Sequence, residues 1–219
     1  MIPIEDTDGL VFTENDKIYT ISLSPGTRVY GEKLIRIGYL EYREWDPRRS
    51  KLSAYLKIGG KHFPLDKSTN VLYLGASSGT TASHVSDIVS EGKVYCVEFA
   101  PRMFRELVNT CAPRPNMAPI LGDAMAPQDY SFAVDQVDIV YSDVAQKRQV
   151  DIIADNMDRF NARYGMVTIK ARSEDVTLDP REIFKSSEKR LIERGFEILE
   201  SLNLEPYENA HQMIVFKKG

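Results

Sequence analysis

From residue 70 onward, short apolar runs alternate with helix-like segments, and this rhythm constrains the fold more than any other feature of the 219-residue chain. The runs read as strands at 70–75, 93–98, 117–121, 137–142 and 164–170; the segments between them read as helices at 80–90, 101–111, 147–161 and 180–194. Strands joined through helices pair in parallel, because each crossover returns the chain to the same direction. The series ends differently. Two final strands, 196–204 and 212–217, are separated only by Glu205-Pro206-Tyr207-Glu208-Asn209, which predicts an antiparallel hairpin closing the sheet.

Residues 1–60 have another character. Gly9-Leu10-Val11-Phe12 and Lys17-Ile18-Tyr19-Thr20-Ile21 flank Glu14-Asn15-Asp16, a hairpin turn. Further short β segments are expected at 28–31 and 41–45, and a short helix over 49–58 with Leu52, Tyr55 and Leu56 inward. The predicted organisation is a small antiparallel β subdomain over 1–60 and an α/β domain over 61–219. A doubly wound sheet ending in a hairpin is the pattern of class I (Rossmann-like) methyltransferases more than of a dehydrogenase.

Composition sets few limits. No run approaches the roughly 20 apolar residues needed to span a bilayer. The N-terminus lacks the basic-then-apolar profile of a signal peptide, and Cys96 falls inside an apparent strand, so a buried thiol is expected there. No metal site is expected, and the expected compartment is the cytoplasm. The net charge of −4 argues against a general nucleic-acid coat. Between Lys33 and Lys61, however, eight basic residues stand against three acidic ones, a local excess of five. That stretch reads either as a solvated surface or as a docking face for phosphates.

The turn after the first parallel strand reads Gly75-Ala76-Ser77-Ser78-Gly79-Thr80-Thr81. Its glycines permit positive φ and close ligand approach, and the helix that follows offers free N–H groups. It lacks both the full G-x-G-x-x-G spacing and the G-K-[ST] ending of a P-loop, which disfavours NAD and ATP hydrolysis. A nucleoside with an amino-acid tail fits it better.

In such a sheet ligands bind beyond the carboxyl ends of the strands, and those ends carry a consistent polar set. Glu98 ends the second strand about twenty residues after the glycine turn, where an acid hydrogen-bonds ribose hydroxyls. Phe99 beside it either packs on an adenine ring or joins the core. Asp123, in Gly122-Asp123-Ala124, either accepts from an adenine amino group or caps a turn. Asp143 emerges from the fourth strand as a ligand or as a helix N-cap. Lys170 ends the fifth apolar strand, where an ammonium is costly to bury. It is either a snorkelling lysine or a catalytic amine, since burial and a nearby cation favour the free base of a lysine.

Taken together, these residues resemble the fibrillarin family of RNA 2′-O-methyltransferases in its archaeal form. The resemblance is carried by Arg49-Ser50-Lys51-Leu52, Tyr73-Leu74-Gly75-Ala76-Ser77-Ser78-Gly79-Thr80-Thr81 and Val97-Glu98-Phe99-Ala100-Pro101-Arg102. It continues through Pro119-Ile120-Leu121-Gly122-Asp123-Ala124, Asp143-Val144-Ala145-Gln146, Ile169-Lys170-Ala171-Arg172-Ser173, Asp179-Pro180-Arg181-Glu182-Ile183-Phe184 and Glu205-Pro206-Tyr207 with His211. Phe99 stands where tyrosine is expected.

The resemblance implies S-adenosylmethionine as methyl donor and a ribose 2′-hydroxyl of rRNA or tRNA as acceptor. It implies a catalytic set of Lys51, Asp143, Lys170 and His211, and donor contacts from Gly75, Ala76, Thr80, Thr81, Glu98, Phe99, Asp123, Ala124, Asp143, Val144, Ala145 and Gln146. It further implies work inside a box C/D ribonucleoprotein, with a guide RNA, a Nop-type scaffold protein and a kink-turn-binding ribosomal-type protein. Two other readings of the sequence compete with it: a non-catalytic RNA-binding or assembly subunit, and an NAD-dependent oxidoreductase.

Overall fold

In the computed structural model, which describes residues 1–219, the N-terminal runs form five antiparallel strands. They are β1 (Ile2–Pro3), β2 (Val11–Glu14), β3 (Lys17–Ile21), β4 (Leu34–Ile37) and β5 (Leu40–Glu44), in the order β1-β2-β3-β5-β4. Asn15 and Asp16 both take positive φ, as a two-residue hairpin turn that matches strand twist requires. Residues 28–31, expected as a strand, form none; the outer strand lies at Leu34–Ile37 instead. The reason is local. The N–H groups of Val29 and Tyr30 donate to the Glu32 carboxylate at 2.9–3.1 Å, so they are not available to a ladder.

Helix α1 (Lys51–Lys57) begins at Ser50, whose hydroxyl accepts from the Ser53 N–H, and buries Leu52, Tyr55 and Leu56. The alternation that follows is β6 (Val71–Leu74), α2 (Thr80–Ile88), β7 (Val94–Glu98), α3 (Pro101–Cys111), β8 (Met117–Leu121), β9 (Ile139–Ser142), α4 (Gln149–Phe160) and β10 (Tyr164–Lys170). A one-turn helix α5 (Ala171–Glu174), absent from the sequence reading, precedes α6 (Pro180–Glu193), β11 (Phe196–Asn203) and β12 (His211–Lys218).

These seven strands form one sheet, ordered β11-β12-β10-β9-β6-β7-β8. The pairs among β10, β9, β6, β7 and β8 are parallel, and β12 runs antiparallel to both β10 and β11. Strand β6 pairs with β7 on one side and β9 on the other, so the chain reverses its direction of winding there. That is the switch point where a crevice opens.

Successive residues of a strand face opposite layers, and β6 shows it: Val71 and Tyr73 join one core, Leu72 and Leu74 the other. The first core also takes in Val11, Ile18 and Trp45, so the small sheet packs against the face that carries Val85 and Ile88 of α2. Polar groups cross the same contact. Arg43 is fully buried, with Nε and Nη2 on Glu32 at 2.9 and 2.6 Å and Nη1 on Asp87 at 2.7 Å. Arg114 donates to the other Asp87 oxygen at 2.6 Å. The basic stretch 33–61 is therefore not one surface: Arg43 lies inside, Lys57 pairs with Asp16, and Arg48 and Arg49 stay exposed. Cys96 and Cys111 are both buried and unbridged.

Candidate active site

The carboxyl end of β6 turns at Gly75, at φ 76°, where a Cβ would stand 3.1 Å from the Asp143 backbone oxygen. Glycine is needed because two loops approach here: the β6 turn and the segment leaving β9. Both Gly75 and Ala76 donate their N–H groups to the Val97 carbonyl, at 2.9 and 3.0 Å, which ties the turn to β7.

At the end of β7, Glu98 is 6% exposed, and each of its carboxylate oxygens is oriented by a backbone donor. Ser77 N–H reaches Oε2 at 2.8 Å, and Ala100 N–H reaches Oε1 at 2.8 Å. Each oxygen keeps a further lone pair, so a carboxylate fixed in this way is ready for a ligand's hydroxyl pair. Phe99 is 63% exposed and adds an aromatic face beside it, so the core reading of Phe99 does not hold.

These groups open on a cavity of about 330 Å³ lined by Gly75, Ser77, Val97, Glu98, Phe99, Gly122, Ala124, Asp143, Val144, Ala145, Gln146 and Lys170. An aromatic face, a preoriented carboxylate and loop backbone around Gly75 suit a nucleoside with a polar tail. Asp123 sits beside the cavity and acts in its turn, where Oδ1 accepts from the Met125 N–H at 2.9 Å and from Gln146 Nε2 at 3.3 Å. Thr80 and Thr81 open α2 behind Gly79 and are not among the lining residues. Thr81 is buried and donates to the Ser50 hydroxyl at 3.0 Å, joining α2 to the start of α1. Ala76 is likewise buried.

The second cluster gathers four elements. Asp143 follows β9 and is not a helix cap, since α4 begins at Gln149 after Arg148. Lys170 at the end of β10 places Nζ 2.8 Å from Asp143 Oδ1 and 2.7 Å from the Asp143 carbonyl. Lys51, the first residue of α1, places Nζ 3.5 Å from Asp143 Oδ2 and 3.9 Å from Glu208 Oε1. His211 opens β12 directly opposite Lys170 and donates from Nδ1 to the Asn209 carbonyl at 2.7 Å.

Burial pushes the His211 imidazole below its usual value of 6.5, and the cations of Lys51 and Lys170 push the same way, against the Asn209 hydrogen bond. A neutral ring with Nδ1–H engaged leaves Nε2 as an acceptor. Two lysine side chains thus share one carboxylate, beside a neutral imidazole, and both Asp143 and Lys170 line the cavity that holds Glu98. The arrangement can hold a polar substrate, move one proton and steady the resulting charge.

Ser77, Gly122 and Glu208 join the site without being among the residues expected there. Ser77 carries a signal in retrospect, a small polar residue in a glycine turn, here at φ 52°. Glu208 carries none; only the fold brings it to Lys51.

The fibrillarin family model matches residues 5–219. A fibrillarin-like rRNA/tRNA 2′-O-methyltransferase from Methanopyrus kandleri is 50% identical, over 97% of this chain and 95% of its own length. Among solved structures, Aeropyrum pernix fibrillarin with natively bound S-adenosyl-L-methionine is similar at TM-score 0.85 and 45% identity, covering 94% of this chain and 92% of that one. A chain of a fibrillarin/Nop5p complex is similar at TM-score 0.87 and 40% identity, covering 96% and 98%.

Proposed function

Because this chain belongs to the fibrillarin family, we propose that it is the S-adenosylmethionine-dependent catalytic subunit of a box C/D ribonucleoprotein. Its reaction is methylation of ribose 2′-hydroxyls in rRNA and tRNA. The observation that carries this reading is the Asp143–Lys170 pair, held at 2.8 Å on the wall of the same cavity as Glu98 and Phe99.

S-adenosylmethionine, when bound, supplies a methyl carbon already activated by a positive sulfur. Glu98 suits its ribose hydroxyls, Phe99 and Ala124 its adenine, and the backbone of the Gly75 turn its amino-acid end. The acceptor is the weaker partner, since a ribose hydroxyl is a poor nucleophile near neutral pH. The protein must align it and remove one proton. In this reading Lys170 takes that proton as a free amine. Asp143 orients the amine and stabilises the ammonium that forms. Lys51 shares the same carboxylate, so Asp143 does not fully compensate both lysines at once. His211 Nε2 accepts a hydrogen bond from the ribose or from the lysine pair.

Residues 1–60 form the small β unit and 61–219 the methyltransferase unit, with Lys51 reaching across from the first. A Nop-type scaffold protein, a guide RNA and a kink-turn-binding ribosomal-type protein complete the particle, and the fibrillarin/Nop5p complex of a relative supports the first of these. The protein works in the cytoplasm. Phosphate contacts dominate nucleic-acid affinity, and a chain at −4 binds free RNA weakly.

A methyl-transfer assay on a guide-matched RNA tests the proposal. The complete particle should methylate one ribose, and the isolated chain should do so negligibly. Donor binding without any 2′-O-methylation by the complete particle would overturn the reading, as would binding of NAD in place of the methyl donor.

A further inference from the structure

The parallel pairing of β10 with β9 runs only from Tyr164 to Val167, opposite Ile139 to Ser142. Beyond it, β9 departs into the Asp143 loop, and the last residue of β10, Lys170, has no strand on that side. Its backbone N–H and C=O both point there, because the neighbouring Ala171 N–H goes the other way, to Ala210.

One side chain fills the gap. Lys170 N–H donates to Gln149 Oε1 at 2.8 Å, and Gln149 Nε2 donates to Lys170 O at 3.2 Å. The orientation of the carboxamide follows from chemistry, since an N–H can only donate and a carbonyl can only accept. Gln149 is fully buried, and its carboxamide makes hydrogen bonds to Lys170 alone. The latch is reciprocal. Glu174, at the end of α5, accepts from Gln149 N–H at 2.7 Å and from Arg148 N–H at 2.9 Å, so its carboxylate covers the start of α4.

We propose that Gln149 is a positioning residue for methyl transfer: its carboxamide stands in for a missing strand and fixes the backbone of Lys170. The inference rests on the assignment of Lys170 as base. Lys170 Nζ reaches Asp143 at 2.7–2.8 Å only while its Cα stays in register, and alignment errors of about 1 Å cost up to about a hundredfold in rate. With β12 pairing on one side and Gln149 on the other, the end of β10 is held from both edges.

The test measures single-turnover methyl transfer in the reconstituted particle for wild type, Gln149→Met, Gln149→Glu, Lys170→Ala and the double variant Gln149→Met/Lys170→Ala. Methionine keeps the length of glutamine and forms neither bond; glutamate as a carboxylate keeps only the acceptor. Gln149→Met should lower the rate at saturating donor about ten- to a hundredfold, with donor affinity within about threefold of wild type. Gln149→Glu should fall between it and wild type. In the Lys170→Ala background, Gln149→Met should cost nothing further, because its effect passes through Lys170.

A rate within about twofold of wild type for both single variants overturns the proposal. So does a donor affinity that falls in step with the rate, or an undiminished further loss in the double variant; either makes Gln149 purely structural. Failure of the underlying reading looks different: Lys170→Ala itself would keep the wild-type rate.

Discussion

Lys170 and His211 are directly opposed residues of the antiparallel β10–β12 pair, so their side chains leave the same face of the sheet. The lysine bends toward Asp143, while the imidazole is tied by Nδ1–H to the Asn209 carbonyl. The pairing explains why a histidine at the first position of β12 belongs to the site: its position is set by the residue across the ladder.

A pH dependence follows. His211 is held below its usual 6.5 chiefly by burial, with Lys51 and Lys170 adding to it. As pH falls through 6.5, the unfolded chain takes up the proton before the folded one. The contribution of this group is therefore fully present above 6.5 and lost as pH falls from there toward the folded-state value. Fully buried His84, pushed further down by burial, Arg43 and Arg114, has the same sign. Denaturant titrations at pH 7.5 and 5.5 should show less acid loss for His211→Gln than for wild type; an equal loss would refute the assignment.

Lys170→Ala should lower single-turnover methyl transfer by about 10²–10⁴, the range for removing a general base. Donor affinity should stay within about threefold, since Glu98 and the Gly75 turn are untouched. Calorimetry with S-adenosylmethionine checks the second half. A variant that fails to bind the donor would make Lys170 a structural part of the cavity.

Glu98→Gln should act in the opposite sense. The carboxylate accepts Ser77 N–H on one oxygen and Ala100 N–H on the other; a carboxamide must turn an NH₂ toward one of them. Donor affinity should fall about ten- to a hundredfold, about 1.4–2.7 kcal/mol. The rate at saturating donor should change by less than about threefold. A large loss of saturated rate with unchanged affinity would remove Glu98 from the donor site.

Glu98, Asp143 and Lys170 were legible in the sequence for a common reason: each is a charged residue at the carboxyl end of a mostly apolar strand run, and parallel strands bring such ends to one edge. The boundaries of β8 and β10 were legible too, because their apolar runs have sharp ends. The outer strand of the small sheet was not. Segments 28–31 and 34–37 look equally strand-like, and the choice lies with Glu32, whose carboxylate captures the N–H groups of Val29 and Tyr30. Gln149 and Glu208 were invisible for a related reason. What they do depends on a backbone gap and on a lysine far away in the chain, and neither leaves a local pattern.

Arg43 gives the sharpest stability prediction, because on charge alone it belonged to a basic surface. It lies at 0% exposure instead, bridging Glu32 of the small unit and Asp87 of α2. Arg43→Met preserves apolar volume but leaves Glu32 buried with no cation, whereas Asp87 keeps Arg114 at 2.6 Å. Removing one partner of a buried pair costs about 3–5 kcal/mol, most of it from the charge left behind. Guanidinium unfolding followed by Trp45, the only tryptophan, should show that loss. Trp45 is well placed as the probe, since it is buried and stacked on His84 at 4.9 Å at the contact in question. Adding Glu32→Gln to Arg43→Met should recover part of the stability by removing the orphaned charge. If Arg43→Met costs less than about 1 kcal/mol, or the second change makes matters worse, the network does not hold the small sheet to α2.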